Sequence, residues 1–165
     1  MQCSTRINRG DSGIEALSVW PARGSPMLFT RPDPKVGQLR TINAFADLPQ
    51  AQLTAIGRLT TAVELAAGEV LCKQGRPGDQ VFAVLTGQVV VSRDDEMVNV
   101  VDSGELIGEM AVLARSPRIA TAVALVDLTA MVLSVREFEQ LLSDHPCVGT
   151  RIRSLAGARR QQLAA

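Results

Sequence analysis

Apolar positions change their period twice along this chain. In residues 45–59, FADLPQAQLTAIGRL, Leu48, Leu53, Ile56 and Leu59 approximate the spacing of one helical face. Asp47 and Pro49 supply a start signal, so the pattern predicts an amphipathic helix over 45–59. The period then shortens. VELAAGEV, VLCKQG, VFAVLTG, QVVVSR, VNVVDSG, IATAVAL and TAMVLSV are short runs rich in Val, Ile and Thr. They recur roughly every ten residues, the rhythm of a β-sandwich or barrel. Gly68, Gly75, Gly78, Gly87 and Gly104 fall between them, where turns often require positive φ. After Val135 the helical period returns. Phe138, Leu141 and Leu142 share a face of one helix, and Val148, Ile152 and Leu155 a face of the next. Asp144 ahead of Pro146 marks the restart between them. The pattern predicts a mainly β chain of about eight strands, interrupted near 109–114, with one helix before and two after.

Residues 1–40 break every period. Arg6, Arg9, Asp11, Arg23, Arg31 and Asp33 are scattered among Gly, Ser and Pro, so this stretch reads as a poorly structured leader and 41–165 as the domain. The 17 basic and 17 acidic residues cancel, which argues against binding nucleic acid or an anionic membrane through overall charge. Aromatics are 3% of the chain, too few for a base-stacking surface. Cys3, Cys72 and Cys147 form no C-x-x-C pair, and an odd number argues against a disulfide framework. With no signal-peptide pattern and no membrane-length apolar run, the expectation is a cytoplasmic protein. His145 is the sole histidine, no metal-ligand cluster is apparent, and no hydrolase, zinc-protease or P-loop motif occurs, so catalysis is not expected.

One stretch resists a purely structural account. In GEMAVLARSPRIATA, residues 108–122, Glu109 and Arg118 bracket a short apolar run. Either the two charges pair with each other, tying a loop to the barrel, or something between them uses both.

Those residues, with Gly68-Glu69-Val70-Leu71, Gln74-Gly75-Arg76-Pro77-Gly78-Asp79 and Val84-Leu85-Thr86-Gly87-Gln88-Val89, resemble the cyclic-nucleotide-binding domains of catabolite-activator regulators, kinase regulatory subunits and certain channels. The resemblance covers about residues 41–160. It implies an eight-stranded β-roll, jelly-roll-like, with an N-terminal helix, a short phosphate-cassette helix and two C-terminal helices. It also implies a non-catalytic regulatory role with a cyclic nucleotide as ligand and no cofactor or metal.

The motif suits that ligand. Arg118 offers a permanently charged fork of donors to a phosphodiester, and Glu109 can accept the proton of the free ribose hydroxyl. Gly108 lets backbone approach closely, and a helical turn over 109–113 directs free N–H groups at an anion. Pro117 biases Ser116 toward an extended form that leads into Arg118. By resemblance, Gly108, Met110, Ala111, Ile119 and Ala120 complete the cassette, and Val84, Leu85 and Val100 stand as pocket walls. Ile119 departs from the small residue usual after the phosphate arginine and lacks a guanine-favouring hydroxyl, which favours cyclic AMP over cyclic GMP. Arg151, Arg153, Arg159 and Arg160 read as a solvated face, not a DNA contact. Ile152 and Leu155 fit a cap over the base, a core contact or a homodimer seam. Phe138 and Leu142 are hinge candidates, and the output would pass to a protein effector. The competing reading is a domain of the same fold that has lost its ligand and serves as an interaction module.

Overall fold

The computed structural model describes residues 33–164. Its helices are α1 (Pro34–Leu39), α2 (Gln50–Leu59), α3 (Glu109–Ala114), α4 (Val135–Asp144) and α5 (Pro146–Ala164). Its strands are β1 (Thr61–Leu65), β2 (Val70–Cys72), β3 (Gln80–Thr86), β4 (Gln88–Arg93), β5 (Glu96–Asp102), β6 (Leu106–Ile107), β7 (Thr121–Ala124) and β8 (Leu128–Ser134). They form two four-stranded sheets, ordered β1-β8-β3-β6 and β2-β7-β4-β5. Every pairing is antiparallel. This is the eight-stranded β-roll with flanking helices that the resemblance implies.

The apolar runs of β3 and β8 are continuous for a physical reason. Phe82, Val84, Ala130 and Val132 point between the two sheets, while Val81, Ala83, Met131 and Leu133 point outward beneath the helices. A strand buried on both faces cannot alternate apolar with polar residues. The outer core is completed by Phe45, Leu53, Ile56, Phe138, Leu141 and Ile152. A single residue, Gly87, carries the chain from one sheet to the other at φ +90°, where a Cβ would lie 2.6 Å from Leu128 Cβ.

Two sequence boundaries shift. The helix predicted over 45–59 begins at Gln50, because Pro49 occupies the N-cap position and the preceding chain runs through turns. Ile42, Ala44 and Phe45 still reach the core from those turns. Within the stretch read as leader, residues 34–39 form α1, with Val36 and Leu39 buried. Lys35 Nζ donates to the carbonyls of Gly57 and Thr60, closing the C-terminal end of α2. Residues 1–32 lie outside the described residues.

Ser134 opens α4 with a capping box. Its hydroxyl accepts from the Glu137 N–H, and the Glu137 carboxylate accepts from the Ser134 N–H at 2.7 Å. These bonds hold the Glu137 carboxyl below its ordinary value. Ser134→Ala is expected to lower stability by about 1 kcal/mol at neutral pH, read by urea denaturation. A carboxylate with a depressed folded pKa stabilises above its unfolded value, near 4.3 for Glu. Glu137's share of the cap is therefore present above about pH 4.3 and is lost as pH falls through its lower folded value. Glu137→Gln should flatten that part of the acid profile.

Candidate functional site

The site is made where β6 hands the chain to α3. Gly108 turns it at φ +89°, a left-handed conformation costly for residues with a Cβ, and α3 begins at Glu109. Arg115, itself left-handed at φ 48°, ends the helix, and Pro117 bridges to Pro77. The Arg118 N–H then donates to Arg76 O while the Gly75 N–H donates to Arg118 O. Arg118 is thus strapped to the β2–β3 loop before β7 starts.

Both charges are buried, with Glu109 3% and Arg118 4% exposed. They do not pair with each other. Arg118 Nη1 donates to Gly108 O at 2.8 Å, and Nη2 donates to Gln80 O at 2.6 Å and reaches Asp79 Oδ1 at 3.4 Å. Of the five N–H donors an arginine carries, Nε–H and the second Nη1–H have no partner among the described residues. Glu109 instead accepts from Arg159 of α5 at 2.9 Å. Arg159 also donates to Leu106 O at 2.6 Å and pairs closely with Glu105. Burial pushes the Glu109 carboxyl above its usual range, with the Arg159 guanidinium opposing that shift.

The seven residues expected from the sequence to form the site line one cavity: Gly108, Glu109, Met110, Ala111, Arg118, Ile119 and Ala120. The cavity measures about 60 Å³. The pocket walls are a correction. Val84 is sealed between the sheets, Leu85 packs on the outer core, and Val100 pairs with Val90 outside the lining. The wall is Cys72, Ala122, Val91 and Asn99, with Val101 beside them. The first four form one cross-strand row, since Cys72 pairs with Ala122, Ala122 with Val91 and Val91 with Asn99. Burial raises the Cys72 thiol, with the positive charge of Arg118 pulling the other way.

The last helix is the largest departure from the sequence reading. Arg159 is not on a solvated face, and Leu163, one turn further, lines the cavity. Ile152 is fully buried in the outer core, whereas Leu155 is 46% exposed. The face turned inward is Val148, Ile152, Ala156, Arg159 and Leu163, and its spacing of four, four, three and four was the signal that could have found Arg159. A second cavity of about 300 Å³ shares Glu109 and Arg159 and extends toward Asn43 and Gly104. Among the described residues, no cluster of His, Cys, Asp and Glu could hold a metal. Nor is any helix there long and apolar enough to cross a membrane.

Residues 62–145 match the family described as the cyclic nucleotide-binding domain, and the chain belongs to that family. Among its relatives, a cyclic nucleotide-gated potassium channel of Rhizobium etli is 34% identical over 116 residues, 70% of this chain and 32% of the channel. A cAMP-dependent protein kinase regulatory subunit of Blastocladiella emersonii is 34% identical over 106 residues, 61% of this chain and 26% of that subunit. The N-terminal domain of a transcriptional regulator from Streptomyces coelicolor A3(2) superposes with a TM-score of 0.60 at 32% identity, covering 75% of this chain and 92% of that one. The chain spans about a third of the length of the curated relatives it matches first.

Proposed function

We propose that this chain binds a cyclic nucleotide in the cavity beneath α5, cyclic AMP in preference to cyclic GMP, and that binding repositions α5. The observation that carries the reading is the separation of Glu109 from Arg118. Two buried opposite charges line one cavity without consuming each other, and Arg118 keeps donors free. Arg118 takes the phosphate through its fork, Glu109 takes the ribose hydroxyl, and the apolar row of the second sheet takes the base. No bond is made or broken. The ligand acts by its differential affinity for two positions of the helix.

The small volume supports helix movement. Pockets that bury a small ligand measure about 300–1,000 Å³, far above the 60 Å³ present beneath Arg159 and Leu163. A nucleotide enters once the C-terminal part of α5 gives way, and the neighbouring 300 Å³ cavity offers Arg159 room to swing. Phe138 and Leu141, buried at the root of α4, hold the fixed end of that hinge, with Leu142 partly buried beside them. The moving helix would signal to a protein effector or to a second copy of the chain.

The small volume of the cavity also favours a second reading, an interaction module of the same fold without a ligand. A thermal-shift titration decides between them. Cyclic AMP at about one hundred times its Kd should stabilise by about 2.7 kcal/mol, a rise of several degrees, while linear AMP should not. Glu109→Ala should reduce the response. No rise with any cyclic nucleotide would leave the interaction module standing.

A further inference from the structure

The cavity has a direction. Its cross-strand row runs over strands β2, β7, β4 and β5 in the order Cys72, Ala122, Val91, Asn99. At about 4.8 Å between strands, the two ends are about 14 Å apart. Arg118 belongs to the Cys72 end, tied by its backbone to Gly75 and Arg76 and close enough to influence that thiol. Asn99 stands at the other end, on the edge strand. Between them the wall is apolar.

Asn99 is the one uncharged amide in this lining. The amides of Gln74 and Gln88 on the same sheet region are engaged by Asp94 and Asp102. The Asn99 amide has no hydrogen-bond partner among the described residues. β5 alternates Asn99 and Val101 toward the cavity, so the polar side chain occupies a position where the pleat calls for an apolar one.

Resting on the reading of this cavity as a cyclic-nucleotide site, we propose that Asn99 reads the edge of the purine and sets the preference for adenine. With the phosphate on Arg118, the base extends along the row toward β5. An asparagine amide pairs with adenine at two atoms, its carbonyl accepting from the N6 amine and its NH2 donating to N7. Guanine presents acceptors at both N7 and O6, so the Asn99 carbonyl would face another acceptor and go unpaired. Val91 and Val101 supply the apolar surface beside the ring.

The test is competition binding to the full chain with cyclic AMP, cyclic GMP and the 7-deaza analogue of cyclic AMP, which lacks the N7 acceptor. Wild type should prefer cyclic AMP and bind the 7-deaza analogue more weakly. Asn99→Ala should lose about tenfold in preference for cyclic AMP over cyclic GMP, and its binding should no longer depend on N7. An unchanged preference in Asn99→Ala, or wild-type indifference to the 7-deaza change, overturns the assignment while leaving the cyclic-nucleotide reading intact. Absence of binding to all three by wild type overturns both.

Discussion

Arg118→Ala should abolish the nucleotide-dependent rise in melting temperature and weaken cyclic AMP binding by about a hundredfold or more. The magnitude follows from what the side chain does. Removing one partner of a buried, hydrogen-bonded charge pair costs about 2–5 kcal/mol, and each 1.4 kcal/mol is a factor of ten in affinity. The variant also loses folding stability, because Gly108 O and Gln80 O would lose their donor at about 1–3 kcal/mol per unsatisfied group. Affinity should therefore be measured by calorimetry at a temperature where the variant remains folded. Arg118→Lys separates charge from geometry. Lysine keeps a point charge without the planar fork, so it should recover only part of the binding. If Arg118→Ala responded to cyclic AMP as wild type does, the phosphate would lie elsewhere.

Gly108→Ala is expected to be the most damaging single methyl in the site. Its backbone sits at φ +89°, and an added Cβ would lie 2.2 Å from Arg118 Nη1 and 2.9 Å from Gln80 O. The left-handed conformation costs about 1–2 kcal/mol for an alanine, and the clash adds the loss of the guanidinium's buried seat. Chemical denaturation should show a loss of about 3 kcal/mol or more. Cyclic AMP binding should fall with it, since Arg118 can no longer rest where it does. Gly37→Ala is the control. Gly37 lies in α1 at ordinary φ with nothing within 4 Å of the added atom, so alanine there should be neutral or slightly stabilising. Equal damage at both positions would show that the seat of Arg118 does not require Gly108.

Much of this fold is legible in the sequence because burial imposes periods on it. The two C-terminal helices and the strand runs could be read from where apolar residues recur. What failed to read had identifiable causes. Pro49 moved the start of α2, while Ile42 and Phe45 kept core positions without helical spacing. In β5 the string Val98, Asn99, Val100, Val101 offers apolar residues to both faces, and a one-residue choice reverses every side chain. The register shift between Val91 and Ser92 hides which choice is made. Asn99 and Val101 face inward, and Val100, which the apolar pattern favours, does not line the cavity. A polar residue in an apolar row is where pattern-based reading should fail at a site built for binding.

The residues expected to form the cassette come from one contiguous stretch, and the fold brings all of them to one cavity. Arg159 was harder. Its partners, Glu105, Leu106 and Glu109, lie some fifty positions earlier, a distance across which local spacing carries no signal. Among four arginines in the last helix, only the inward stripe that includes Ile152 and Ala156 distinguishes Arg159.

The guanidinium of Arg159 clamped on Glu109 has a kinetic meaning. If a ligand must wait for α5 to lift, as proposed above, arrival would be clocked by an internal event, not by diffusion. Departure would obey the same clock. Such a receptor would hold its message through brief fluctuations in concentration, and the strength of one clasp would set how long that memory lasts.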